Sequence, residues 1–231
     1  MKVFTKTPPN NPTRVKKLRW GRVQLITSLG LLTFITYPSV GQTAVSNNNS
    51  LTLGIEVSPA VCSIYPNYNK LRQCIDGSSF TINYFDTGNQ GQCVMSNHAR
   101  LTPLQENVVA KFIPDGYVRQ QMWQNYGKCS GMSVSNYFRS ITNLTTNLSL
   151  PSEIANTSSH RVNYSKLLQK ITTANPGLSP QSIRLYCQMN RKNQMLLTHI
   201  NVCYNSTGRF AQCGSVKPTT CPNEFTIQGR Y

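Results

Sequence analysis

Residues 51–62 read LTLGIEVSPAVC, and this stretch starts the fold. Its apolar positions, which alternate with Thr, Gly and Glu, are Leu51, Leu53, Ile55 and Val57. Successive side chains of a β-strand point to opposite faces, so the alternation predicts a half-buried strand. Cys62 follows soon afterwards, and we expect a cysteine-bearing loop there.

The chain contains eight cysteines, an even number. They are Cys62, Cys74, Cys93, Cys129, Cys187, Cys203, Cys213 and Cys221. No two cysteines have C-x-x-C spacing, and the three histidines lie far from any cysteine cluster. The pattern therefore favours four disulfides in an oxidising compartment over a zinc site, and we expect no metal and no cofactor. Spacing leaves the connectivity open, since eight cysteines allow about 105 pairings.

Residues 1–41 have the pattern of a targeting segment. Seven Lys and Arg residues, with no acid among them, precede the apolar run from Val23 to Ile35. That run suits the core of a signal peptide and is short for a membrane span. We expect cleavage near Gln42, a secreted or periplasmic product, and one domain over residues 42–231. An uncleaved N-terminal anchor is the alternative.

The charge balance points toward acidic partners. The 231-residue chain has 23 Lys and Arg against 7 Asp and Glu, a net charge of +16. Loss of the leader removes seven of the basic residues and leaves a net charge of +9. A basic surface attracts nucleic acid. With 39% hydrophobic and 13% charged residues, the composition is that of a folded protein and excludes a disordered chain.

Periodicity predicts helices in the middle of the chain and strands at both ends. The further strands expected are Phe80–Phe85, Ser182–Cys187, Met195–Cys203 and Phe225–Ile227. The helices expected begin at Pro103, Tyr117, Ser133 and Tyr164. This order is typical of an α+β domain. We expect His160 in a loop and His199 on the strand face away from the core.

Five blocks of the chain, taken in order, are similar to sequence motifs of one family. Residues 58–62 are similar to S-P-x-F-C, which follows the first strand in that family. Residues 80–82 match the start of F-T-x-H-G-L-W-P, and residues 121–129 match the frame of H-E-W-x-K-H-G-x-C. Residues 197–203 and 221–231 are similar to two later strands. With these blocks the chain resembles the ribonuclease T2 family of secreted endoribonucleases, most closely its bacterial periplasmic branch, in which the second and third blocks are the two catalytic motifs.

The resemblance implies a central, mostly antiparallel sheet packed by several helices, with four disulfides. The implied pairs are Cys62 with Cys74, Cys93 with Cys129, Cys187 with Cys221, and Cys203 with Cys213. In this family, one histidine from each motif handles the protons on the ribose 2′-hydroxyl and the leaving 5′-oxygen. A Glu and a Lys stabilise the phosphorane.

The chain departs from the family where this chemistry takes place. Asn83 stands at the first-motif histidine, and Gln121 and Tyr126 stand at the two second-motif histidines. Met122 and Asn125 replace the Glu and the Lys. Asn and Gln do not titrate, and Tyr is acidic only near about pH 10. We therefore expect no catalytic residue at these positions, and a pseudoenzyme.

The same region keeps side chains that suit RNA binding. Tyr84 and Tyr126 are predicted to be exposed rings on which bases stack, and Arg119 and Lys128 flank them. Phe85 is predicted to belong to the core. The first hypothesis is thus an inactive monomer that binds RNA, or else a protein or glycan partner.

The competing hypothesis is an active endoribonuclease that cleaves RNA through a 2′,3′-cyclic phosphate with relocated acid and base groups. A bridge between Cys93 and Cys129 would bring His98 toward the cleft, with Lys128 or Asp86 as the nearest titratable partner. A third reading, an unrelated small secreted toxin or inhibitor, leaves the ordered block matches unexplained.

Overall fold

The computed structural model describes residues 50–88, 93, 98–214 and 216–230, so the leader expected at 1–41 lies outside the described residues. Within them are six strands: β1 (Leu51–Glu56), β2 (Thr81–Asp86), β3 (His160–Asn163), β4 (Ile183–Met189), β5 (Met195–Tyr204) and β6 (Glu224–Ile227). The helices are α1 (Ser58–Ile64), α2 (Arg72–Ile75), α3 (Pro103–Ala110), α4 (Gly116–Asn125), α5 (Val134–Thr146) and α6 (Tyr164–Ala174).

The strands form one sheet in the order β2-β1-β5-β6-β3, with β4 paired to β5. Every pairing is antiparallel except the one between β5 and β6. The predicted α+β class and mostly antiparallel sheet are confirmed. The core joins the sheet to the helices through large buried side chains, among them Phe85, Trp123, Tyr137 and Ile200.

Two local predictions were wrong. The segment after β1 is helix α1, in which Pro59 occupies the first turn, where a missing N–H costs nothing. No side chain caps this helix, so the sequence lacks the usual start signal. His160 lies in β3, where it pairs with Ile227, and not in a loop.

Strand β1 is buried on both faces, although alternation predicted one exposed face. Thr52 and Glu56 are only 5% and 4% exposed. The ring of Tyr84 lies over Gly54, and the side chain of Gln73 from α2 bonds to Glu56. The face that reads as polar is therefore covered by groups from β2 and α2.

Four disulfides join the chain in the pairing that the resemblance implied. The Cys62–Cys74 bridge ties α1 to α2, and the Cys93–Cys129 bridge ties the segment before α3 to the turn after α4. No helix among the described residues is both long enough and apolar enough to cross a bilayer.

Candidate binding site

A β-bulge at Asn83 bends β2 beside the candidate site. In the β1–β2 ladder Gly54 pairs with Tyr84 while Ile55 pairs with Ile82, so Asn83 is the extra residue. A bulge increases local twist and re-aims neighbouring side chains. Within the described part of the chain, the buried Oδ1 of Asn83 has no hydrogen-bond partner.

Tyr84 and Tyr126 form a ring pair next to this bulge. Their centroids are 5.5 Å apart with a tilt of 31°, a common aromatic geometry. Tyr84 reaches this position because Gly54 has no Cβ, which would otherwise overlap the Tyr84 ring. Both rings are half-buried, whereas the sequence predicted exposed rings. Phe85 is fully buried, as predicted.

The ring pair borders an open groove of about 440 Å³. We call it the tyrosine groove; the residues that define it are Thr52, Tyr84, Tyr126, Tyr186, Asn201 and Lys217. The Tyr186 hydroxyl donates to the carbonyl of Lys217 at 2.6 Å and also bonds the Asn201 side chain. The exposed Asp86 lies at its edge.

The tyrosine hydroxyls of this groove stay protonated near neutral pH. Burial raises the pKa of Tyr84, and nearby Tyr186, Tyr126 and Asp86 raise it further. Burial, followed by the charge of Asp86, raises the pKa of Tyr126. Burial likewise raises the pKa of Tyr186. Tyr84 and Tyr126 can donate hydrogen bonds and offer ring faces, whereas the Tyr186 hydroxyl hydrogen already goes to the Lys217 carbonyl. All three protonated hydroxyls are poor proton acceptors.

Of the second-motif residues, Tyr126 alone lines the groove. Met122 is 1% exposed and packs in the core. Gln121 is half-buried, with its Nε2 3.4 Å from Oε1 of Gln124. Asn125 is exposed at the last position of α4. The helix thus spreads these four side chains between core, surface and groove.

The two basic residues singled out from the sequence lie outside the groove lining. Arg119 donates through one guanidinium nitrogen to the carbonyls of Ile113 and Pro114, at 2.7 and 3.2 Å. These bonds hold it against the chain just before α4. Lys128 is half-buried in the 3-10 turn that follows that helix.

The three histidines lie on different elements, and none belongs to the described groove lining. His98 is exposed before α3, where the next N–H, of Ala99, donates to Oε1 of Gln120 at 3.0 Å. His160 sits on β3, two strands away from β5 in the sheet. His199 is half-buried on β5, opposite Glu56.

Sequence reasoning missed Tyr186, Asn201 and Lys217. Tyr186 precedes Cys187 and Asn201 precedes Val202, and in each case the core-facing neighbour carried the strand signal. Alternation alone places them on the opposite face of the sheet. The strand register brings Tyr186 and Asn201 to Tyr84, which is about a hundred residues earlier in the chain, and the Tyr186 hydroxyl holds the segment that carries Lys217.

A scan against models of protein families finds no match, and neither does a search of curated proteins. Among solved structures, ribonuclease MC1 from bitter gourd seeds aligns with a TM-score of 0.58 and 16% identity, over 76% of this chain and 98% of that one. The self-incompatibility-associated SF11-RNase of Nicotiana alata aligns with a TM-score of 0.59 and 15% identity, over 80% and 100%.

RNase NT in complex with 5′-AMP aligns with a TM-score of 0.57 and 13% identity, over 80% of this chain and 100% of that one. The sheet, the helices and the four disulfides described above are thus those of the T2-type ribonuclease fold. At these identities the likeness concerns the fold.

Proposed function

We propose that this protein is a ribonuclease T2-like binding protein that holds single-stranded RNA in the tyrosine groove without cleaving it. One observation carries the proposal. The Tyr84–Tyr126 ring pair opens onto a groove whose described lining includes no imidazole.

The absence of cleavage follows from the protonation chemistry of this lining. Transesterification at a ribose 2′-hydroxyl needs one group to accept a proton and another to give one, each worth about 10² to 10⁴ in rate. Here the tyrosine hydroxyls have raised pKa values, Asn83 has no titratable proton, and Asp86, the carboxylate of the described lining, has no imidazole beside it in that lining. The cleavage rate should therefore fall by several orders of magnitude.

RNA binding is supported by the ring faces and the charge. Bases of single-stranded RNA stack on aromatic side chains, each contributing about 1–3 kcal/mol. Lys217 at the groove and the net charge of +9 on residues 42–231 attract phosphates. The solved RNase NT holds 5′-AMP, so this fold accommodates a nucleotide in at least one protein.

The proposal includes export. Four disulfides need an oxidising compartment, and the basic, apolar leader supplies a targeting signal. We place the protein in the periplasm or outside the cell, acting as a monomer of residues 42–231.

The experiment is a fluorescence-anisotropy titration of the purified protein with a labelled oligoadenylate, together with a cleavage assay across about pH 4 to 8. We expect salt-sensitive binding, a loss of about 5- to 150-fold in Tyr84→Ala, and unchanged affinity in Tyr117→Ala. Tyr117, on α4, is 65% exposed and lies outside the groove lining, so it is the matched control.

Two outcomes would overturn the proposal. Rapid RNA cleavage that His98→Ala abolishes would favour the endoribonuclease with relocated acid and base groups. Affinity for the oligoadenylate that is immeasurably weak at low salt would leave a protein or glycan as the partner of this surface.

A further inference from the structure

Glu56 is a buried carboxyl group that the proposed RNA site does not use. It ends β1, is 4% exposed, and faces Thr81 of β2 and His199 of β5 in the two ladders. Helix α2 covers it with Gln73, which is 3% exposed. A carboxyl group buried to this extent requires partners that satisfy it.

The hydrogen bonds around Glu56 are incomplete if its carboxyl group is ionised. The Gln73 side chain donates one hydrogen bond to Glu56. Among the described residues, Oε1 of Glu56 and Oε1 of Gln73 both lack a partner. The Gln73 bond therefore goes to the other carboxyl oxygen of Glu56. An ionised Glu56 would leave two buried acceptors without donors, at a cost in stability for each.

The charged and titratable groups around Glu56 do not supply a cation. His199 on β5 is held neutral, because burial lowers its pKa to about 4. Tyr68, in the 3-10 turn Pro66–Lys70, has a pKa raised by burial and then by Glu56. Arg72, beside Gln73 on α2, forms an exposed ion pair with Asp76 at 3.4 Å.

We propose that Glu56 is protonated in the folded protein and that its O–H donates to Oε1 of Gln73, which closes a two-bond clasp between β1 and α2. A protonated carboxyl group has an O–H donor and a carbonyl acceptor, and the amide can offer it one N–H donor and its carbonyl acceptor in return, so the pair satisfies both orphaned oxygens. Burial also raises the pKa of Glu56 to about 7, which keeps the proton in place under mildly acidic conditions.

The clasp attaches helix α2 to strand β1 of the sheet. Helix α2 is joined to α1 by the Cys62–Cys74 bridge, and the Arg72 N–H donates to Oδ2 of Asp115 at 2.9 Å. Release of the Glu56 proton to solvent removes one of the two clasp bonds and leaves a buried anion. The attachment of α2 to the sheet therefore weakens as pH rises through about 7.

The test is infrared difference spectroscopy of the full-length protein against Glu56→Gln. At about pH 5.5 we expect the carbonyl band of a protonated carboxylic acid in the wild-type protein, lost with a midpoint near pH 7 and absent in Glu56→Gln. Glu106→Gln, at an exposed glutamate on α3, is the matched control and should leave the band in place.

Gln73→Met distinguishes the effect of the clasp on Glu56 from the effect of burial alone, because it removes the amide and keeps an apolar side chain over Glu56. It is also the variant to use if Glu56→Gln fails to fold. Without the amide acceptor, the acid band should shift to higher frequency while persisting at about pH 5.5. Amide hydrogens of α2 should exchange at least about 10-fold faster in this variant. Two results would overturn the proposal. One is a carboxylate band of Glu56 at that pH in the difference spectrum of the wild-type protein against Glu56→Gln. The other is an acid band whose frequency Gln73→Met leaves unchanged.

Discussion

Glu56 and His199 lie directly opposite each other on β1 and β5, and burial disfavours the charged form of both. It raises the pKa of Glu56 to about 7 and lowers that of His199 to about 4. Between these values both side chains are neutral. A carboxyl group and an imidazole in this register would form an ion pair at a hydrated surface, whereas here they form a neutral pair.

The two groups should have opposing effects on the pH dependence of stability. The folded state holds the Glu56 proton more tightly than the unfolded chain, so stability falls as pH rises from 4.5 to about 7. It holds the His199 proton less tightly, so stability falls as pH drops from 6.5 to about 4. Where the windows overlap, between about pH 4.5 and 6.5, the two contributions cancel.

Single substitutions should reveal the pH dependence of stability that each group contributes. In His199→Gln we expect stability to fall by up to roughly 3 kcal/mol between about pH 4.5 and 7, and in Glu56→Gln to rise by a similar amount between about pH 4 and 6.5. Urea unfolding across pH measures both slopes. Between about pH 4.5 and 6.5 the double variant should follow the wild-type protein. Single variants whose stability does not change with pH over these ranges would indicate an ion pair instead, because each pKa shift would then depend on the partner's charge.

Gly54 should be as important to the tyrosine groove as Tyr84 itself. A Cβ at position 54 would overlap the Tyr84 ring, so Gly54→Ala either strains β1 or rotates that ring away from Tyr126. We expect a loss of stability of about 1–3 kcal/mol, and an affinity for oligoadenylate as low as that of Tyr84→Ala. The changes are measured by urea unfolding and anisotropy.

A double variant tests whether the Tyr84 ring is the reason that position 54 requires glycine. In a Tyr84→Ala background, Gly54→Ala should cost less than about 1 kcal/mol because the overlapping ring is gone. Gly214→Ala is the matched control, since a Cβ there would meet open space. An equal cost in both backgrounds would show that the strand, and not the ring, requires glycine.

Tyr126 should contribute to RNA binding through its ring face and not through its hydroxyl group. If bases stack on it, Tyr126→Phe keeps affinity for oligoadenylate within about twofold, while Tyr126→Ala loses about 1–3 kcal/mol. Anisotropy titrations at one fixed salt concentration measure both. A large loss in Tyr126→Phe would instead assign the contribution to the hydroxyl as a hydrogen-bond donor.

Much of the fold could be predicted because core-facing residues repeat with the period of their element. Leu53 and Ile55 predicted β1, and the Ser133 cap and Ile141 predicted α5. Helix α1 escaped prediction because Val57, its N-cap residue, makes no capping bond and the helix has seven residues. The sequence signal of such a short helix without a capping side chain is weak.

The candidate site was harder to predict because it depends on long-range register. The resemblance put Tyr84 and Tyr126 beside one cleft as exposed rings, but it did not predict that they pair or that they are half-buried, and the position of Tyr84 depends on Gly54, 30 residues earlier in the chain. Glu56 occupies an alternating position that reads as solvent-facing, and only the covering helix α2 makes it a buried acid. The sequence predicted Arg119 as an RNA-binding residue, but its guanidinium group donates hydrogen bonds to backbone carbonyls.

Histidines introduced at positions 83 and 126 should not make the protein an efficient ribonuclease. Asn83→His with Tyr126→His supplies imidazoles next to the groove, but Met122 remains buried in the core and Asn125 remains uncharged. A phosphorane would then lack the carboxyl and ammonium groups that stabilise charge in the transition state, a contribution of about 10² to 10³ per donor.

We therefore expect the double variant to cleave homopolymer RNA at less than about a hundredth of the rate of an active secreted ribonuclease, measured as cyclic-phosphate product. Tyr126→His alone is the matched control, since it removes the stacking ring without completing an acid–base pair. Robust turnover by the double variant would mean that the buried Met122 site does not limit the chemistry.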